Sequence, residues 1–425
     1  MLKEKGSRLS LGFKAWIATL GSTALVASVQ IGPGTMTAAI TAGSNFGLSL
    51  LWLVAMSGIW LAGLTMLAGT VTVVTGKTTI QALDSFIFKG WGTVNGWLQV
   101  ICNLLATIGV SVGMAEALRV FFPTLSAFAA TFILFVISLI FMVLRGKYSF
   151  IKSITSVIVA FMFVMFVLNL FFIKLSFSEV LAGLVPQIPE GSAIAIAGII
   201  GGSIGGLPMM FYPYQVKASK FEEKDLPAMR WDNIIFLGVI FAIISVSVVA
   251  AASKLEAPAS NAIQAAEALA PIGGAAAKWI FSLGFFAVVW TTAVSPCFGT
   301  GYYVADLLKF KTKDGTKLLI ESDIHTDSRF KILSGITMAG WLIGPLLAKM
   351  IPPFVIILMA MGVLNLFVPF IIGSLLYIAT KRSIMGEHQI GWFHRIIVII
   401  GFIFSLVGIW SFIDFLTNTL PRVMS

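Results

Sequence analysis

The 425-residue chain is 58% hydrophobic and only 11% charged, with a mean hydropathy of +0.99 and a formal net charge of +10. A soluble domain carries about a quarter charged residues, so these values exclude a water-soluble globular fold and make lipid the main solvent. The positive excess would point to nucleic acid only if it formed a patch, and its distribution along the chain shows none.

Eleven apolar stretches are long enough to span a bilayer: about 14–43, 48–75, 92–118, 124–143, 150–172, 192–220, 231–252, 277–306, 328–350, 352–379 and 392–418. The first has a basic start but no short apolar core ending in a small-residue cleavage site, so it reads as a retained span. Within it, "SVQIGPGTMTAAITAGSNFG" (28–47) carries Gly32-Pro33-Gly34 near mid-membrane and not one charged side chain. The third stretch, "NLLATIGVSVGMAEALRVFF", holds Glu116 three residues before Arg119. That spacing fits an i,i+3 pair near the helix end, although an acid inside a span is also a candidate for a coupling role. The sixth, "GIIGGSIGGLPMMFYPYQVKAS" (198–219), contains five glycines and two prolines. Segment 254–274 reads as an outer loop with a short surface helix, and 309–331 as a polar, loop-like cytoplasmic segment. Asp306 and Asp414 sit near span ends and read as interfacial anchors. The three histidines, His325, His388 and His394, fall in predicted cytoplasmic segments, leaving no imidazole at the midplane. Cys102 and Cys297 lie inside spans and read as small buried residues, neither a disulfide nor a zinc site.

When the connecting segments are assigned alternately to two sides, the side holding the N-terminus receives 22 of the 28 Lys and Arg. This positive-inside bias places the N-terminus in the cytoplasm and, after eleven spans, the C-terminus outside, in a multi-pass protein of the cell membrane. The basic excess is therefore topological. Interruptions in the first and sixth of eleven stretches point to a 5+5 inverted repeat with a substrate site at the midplane. Repeat one covers about 14–172, repeat two about 192–379, and an extra helix about 392–418, in a single all-α polytopic domain. Unwound backbone at that depth must be buried in protein or line a wet cavity.

At these residues the chain resembles the Nramp family of proton-coupled divalent-metal transporters, which have the LeuT-type fold. "GPGTMTAAITAGSNFG" is similar to the family's first-helix motif, Asp-Pro-Gly-Asn followed by Ala-Gly. "VVTGKTTIQALDSF" (73–86) looks like the end of its second helix, and "APIGGAAAKWIFSLGFFAVVWTTAVSPCFGTGYYVADLL" (270–308) is similar to its eighth. "VPFIIGSLLYIATKRSIMGE" (368–387) looks like the end of its tenth. The departures fall on the chemistry. The positions of the family's metal-binding Asp, Asn and Met hold Gly32, Thr35 and Leu207. Met209 stands for the His of the Met-Pro-His motif, Tyr214 for a second His, and Met361 for a tenth-helix Gln. Thr107 and Gly113 replace two proton-path carboxylates, leaving Glu116.

What remains near the breaks as substrate-binding candidates is Gln30, Gly32, Gly34, Thr35, Ser203, Ile204, Gly205, Leu207, Met209, Met210, Tyr214 and Met361. For a metal, the backbone carbonyls of Gly32 and Ile204 and the Thr35 hydroxyl are the expected ligands, and Glu116 is the coupling candidate. With no carboxylate or imidazole at the centre, nothing there titrates between pH 5 and 8, so transport without strong proton coupling is expected. Neutral oxygens hold a hydrated magnesium ion more readily than a bare iron or manganese ion. The competing expectation is a small organic anion or amino-acid-like solute, held by the exposed helix N-termini. No P-loop and no nucleophile–base pair is present, so neither enzyme activity nor a cofactor is expected. Alternating access and a monomer are what the resemblance implies.

Overall fold

The structure is a computed structural model. It describes residues 23, 26–27, 30–145, 157–158, 160–161, 163–168, 176–261, 264–266 and 270–421. Its regular elements are helices: α1 Pro33–Phe46, α2 Leu51–Thr75, α3 Thr79–Phe86, α4 Trp91–Phe121, α5 Ala127–Arg145, α6 Phe177–Gly183, α7 Ala193–Ile204 and α8 Gly206–Ala218. They continue as α9 Glu223–Ala252, α10 Ala270–Leu307, α11 Ser328–Leu347, α12 Pro353–Asn365, α13 Val368–Thr380 and α14 Trp392–Thr419. Eight helical stretches among the described residues are long and apolar enough to cross a membrane, and Ala127–Ile140 is a shorter one. They match nine of the eleven expected spans; the first and fifth lie partly outside the described residues.

The two expected interruptions are present. Gln30 is helical, Ile31 and Gly32 bend out, and α1 restarts at Pro33 with Gly32 extended (φ −110°, ψ 176°). Gly205 (φ −42°, ψ 151°) separates α7 from α8. The physical cause is visible in each case. Proline has no N–H to give the carbonyl four residues back: Pro208 leaves Ile204 without its helical donor, and Pro33 fits only the first turn of a new helix.

Around these half-helices, α4 packs along α10 and α12, while α7 lies against α1, α12 and α14. The second half of α9 covers α1, and α8 packs on α2. Contact between α7 and α12 depends on Gly201, where a methyl would run into the backbone carbonyl of Met361.

Two connections differ from expectation. α10 starts at Ala270, earlier than the 277 read from sequence, so part of the supposed outer loop is helix. Where the short helix was expected in 254–274, residues 264–266 are helical and 262–263 and 267–269 lie outside the described residues. Segment 309–331 is more than a polar loop. A Lys311–Leu318 bridge and two short 3-10 turns fold it so that Leu319, Ile320, Ile324 and His325 are buried.

Candidate functional site

Gln30 and Thr35 connect the two breaks. The Gln30 Nε2 donates to the carbonyls of Gly202 and Ser203, at 3.1 Å each. Both neighbours are acceptors, so the amide nitrogen, not its oxygen, must face them. Thr35 Oγ1 donates to the Gln30 carbonyl at 2.6 Å, with the Gly202 carbonyl 3.4 Å away. A third partner is Thr292 on α10, whose hydroxyl donates to the Ile31 carbonyl at 3.3 Å. Each donor replaces a bond that the interrupted ladders lost, which membrane depth requires.

Between the breaks lies a cavity of about 20 Å³ lined by Gln30, Gly32, Gly34, Thr35, Gly205, Leu207 and Met361 among the expected residues. A space of this size holds one water-sized body. Gly34 faces the Met361 thioether so closely that a methyl there would overlap the sulfur. The sequence reading missed the remaining lining, including Gly201, Gly202, Thr292 and Pro296. A signal existed for two of them: Pro296 inside a predicted span removes the donor that would otherwise serve the Thr292 carbonyl. No charged side chain lines the cavity.

Other expected site residues are placed elsewhere. The Gly32 carbonyl is not unpaired, since it accepts the Met36 N–H at 2.9 Å as the first bond of α1. Ser203 turns its hydroxyl back to the Ile199 carbonyl (2.6 Å), and only its carbonyl faces Gln30. Ile204 does not line the cavity, although its carbonyl sits at the break. Met209 and Met210 are packed in the core, and the Met209 carbonyl takes the Thr79 hydroxyl at 2.7 Å.

Tyr214 belongs to a second polar cluster. Its hydroxyl donates to Asp306 Oδ2 at 2.8 Å. Thr78 donates to the same oxygen at 2.6 Å and Gln81 Nε2 to Oδ1 at 2.7 Å. Asp306 is therefore not an interfacial anchor; it is buried and receives three side chains. Thr78 and Gln81 also form the capping box of α3, each accepting the other's backbone N–H at 3.3 Å. Their acceptors cap the helix while their donors reach Asp306, so the start of α3 is tied to α8 and α10.

Glu116 is buried and pairs with Arg119 at 3.3 Å, which is the i,i+3 pair its spacing predicts. His394 lies in the first turn of α14 rather than in a loop, and its Nε2 donates to the Gly63 carbonyl at 2.8 Å. Among the described residues no group of three or more His, Cys, Asp or Glu could hold a metal ion. Both cysteines are free and buried.

A helical membrane bundle in which two broken helices meet at one small buried polar cavity defines a class: a carrier-type membrane fold, with the breaks as its candidate site. Comparison with known proteins names the family. Residues 23–413 match "Nramp: Natural resistance-associated macrophage protein-like", and the chain belongs to the Nramp family, whose members are transporters and not enzymes. It is similar to the divalent metal cation transporter MntH of Klebsiella pneumoniae (25% identity, 64% of this chain and 68% of that one). It also resembles MntH of Listeria welshimeri (32% identity, 26% of this chain), where the match spans about a quarter of the relative's length. The fold is that of the manganese transporter of Eremococcus coleocola, with TM-score 0.73, 18% identity, and 96% and 89% of the two chains covered. The nucleobase-cation-symport-1 family transporter MHP1 shares it at TM-score 0.58 and 15% identity, covering 95% and 94%.

Proposed function

We propose that this protein is a secondary transporter that carries a divalent metal cation between the two broken helices by alternating access. Magnesium, keeping part of its hydration shell, is the preferred ion ahead of manganese or iron, and strong proton coupling is absent. The observation that carries this reading is the acceptor cluster formed by the carbonyls of Gln30, Gly202 and Ser203. The Gln30 amide and the Thr35 hydroxyl point their hydrogens into it. A site whose own side chains satisfy it with donors is built to receive positive charge, and a substrate carboxylate would meet lone pairs there. This favours a cation over an organic anion.

The ion preference follows from what surrounds those carbonyls. With no carboxylate in the lining, nothing offsets the cost of stripping a divalent ion of its water, and magnesium releases water reluctantly. The cavity of about 20 Å³ admits one water or one bare ion, so a hydrated ion enters only after α1 and α8 move apart. Relatives described as manganese or divalent-metal transporters support the divalent class. Absence of an ionisable group from the lining supports the lack of coupling.

The test is flux into liposomes holding the purified protein, with a magnesium-sensitive dye, a manganese-quenched fluorophore and a pH dye inside. Saturable magnesium entry without acidification, weakened by Thr35→Ala, is the expected result. Flux of carboxylates or amino acids with none of either metal overturns the proposal. Manganese entry that stops when the pH gradient is removed overturns its ion preference and its coupling.

A further inference from the structure

A cleft of about 670 Å³ opens between α2, α9 and α14, and shares no lining residue with the cavity at the breaks. Its walls are apolar, built from residues such as Ile59, Met66, Val239 and Ile397, and at Gly63 the Ile397 side chain packs directly against the backbone of α2. A π-turn at Ile234–Ile240 widens α9 along the cleft. The volume lies in the range of sites that enclose a small molecule, about 300–1,000 Å³.

One end of this cleft is charged. Arg230 lines it there and is exposed; among the described residues it makes no hydrogen bond or ion pair. The other polar side chains of the lining are already committed: His394 to the Gly63 carbonyl and Gln389 to the Thr380 carbonyl at 2.8 Å. Arg230 is thus a cation at one end of an apolar cleft with no paired counter-anion among the described residues.

Its depth is fixed by aromatics. Trp231, the next residue, is 60% exposed, and Trp392, at the start of α14, is 74% exposed. Exposed tryptophans of this kind mark the headgroup level of a bilayer. From Arg230 the cleft follows α9 to Ile243, roughly 20 Å at 1.5 Å per residue. That is close to one leaflet, half of the ~30 Å hydrocarbon core plus an interface.

We infer that the cleft between α2, α9 and α14 is a binding site for one anionic phospholipid, its headgroup phosphate on Arg230 and an acyl chain along the apolar walls. The lipid comes from the leaflet on the lysine- and arginine-rich side. Guanidinium–phosphate pairing anchors the headgroup, the like charge of a choline beside Arg230 disfavours a zwitterionic lipid, and burial of the chain gives the site its residence.

The test uses the full chain, purified in mild detergent, stripped of lipid, and titrated with phosphatidylglycerol or phosphatidylcholine of the same acyl chains under native mass spectrometry. One phosphatidylglycerol should bind at least about tenfold tighter than phosphatidylcholine. Arg230→Gln should erase that difference, Arg230→Lys should keep part of it, and Val239→Trp, which fills the cleft, should weaken both lipids. Elution profile and unfolding midpoint establish that each variant is folded. If Val239→Trp is not, the exposed Arg230 variants decide alone. Equal binding of the two lipids by the unaltered chain overturns the inference. So does a preference that survives Arg230→Gln, or a lipid-independent dimer that covers the cleft.

Discussion

Tyr214 and Asp306, 92 residues apart in sequence, are joined by a 2.8 Å hydrogen bond that ties the second broken helix to α10. Because Thr78 and Gln81 meet the same carboxylate, three elements depend on one side chain. The two substitutions at this bond should differ. Tyr214→Phe removes one donor of three and should cost about 1 kcal/mol; Asp306→Ala strands two buried donors, Thr78 and Tyr214, and the part-buried Gln81 amide, and should cost about 3 kcal/mol. Thermal unfolding in detergent measures both. Equal losses would show that the carboxylate does not hold the cluster.

Gln30 fills the acceptor cluster with its own amide, so its removal should leave two carbonyls unserved. Gln30→Ala should unfold at a lower temperature than the unaltered protein in chelator. It should then gain more from added divalent ion, because the ion supplies the missing positive partner and binding stabilises by mass action. An identical metal-induced shift in both proteins would remove the cluster from the substrate site.

Gly201 and Gly34 both sit against Met361, but against different parts of it. A methyl at Gly201 meets the backbone carbonyl, which cannot move aside, while a methyl at Gly34 meets the flexible end of the side chain. Gly201→Ala should therefore destabilise by about 1–3 kcal/mol and Gly34→Ala by less. Gly34→Ala should mainly alter metal affinity, since the displaced thioether lines the cavity. Comparing unfolding midpoints with flux for the pair separates packing from site effects.

His325, outside the membrane spans, is buried beneath the segment after α10, and that burial lowers its pKa from 6.5 to about 3. The unfolded segment binds the proton more readily than the folded one. Its contribution is therefore complete above pH ~6.5 and is lost as pH falls toward 3, by about 1.4 kcal/mol per unit. Protection factors across 309–327, which correct exchange for its own pH-dependent chemical rate, should fall through this window, and His325→Phe should flatten the dependence. Protection factors unchanged between pH 7 and 4 would contradict a neutral buried imidazole.

The breaks themselves were legible because proline and glycine act locally. Pro33 and Pro208 withdraw donors from carbonyls at a fixed offset, and an interruption follows from sequence alone. Gln30, Gly34, Thr35 and Met361 were found for the same reason, lying beside a break or matching a motif position. What was not legible depends on which way a side chain turns or how distant helices meet. Ser203 has the right hydroxyl but spends it on Ile199. Tyr214 and Asp306 became partners only through the packing of α8 on α10. Thr292 and Pro296 reach the cavity from α10, with a proline signal that only its position in three dimensions makes relevant.

The Gln30 amide has a consequence for any motion at the breaks. Its two bonds run from the first interrupted helix to the Gly202 and Ser203 carbonyls of the second, so one side chain latches the two together. Parting them strands an amide and two carbonyls at the same moment, so this contact opens as a unit rather than one bond at a time.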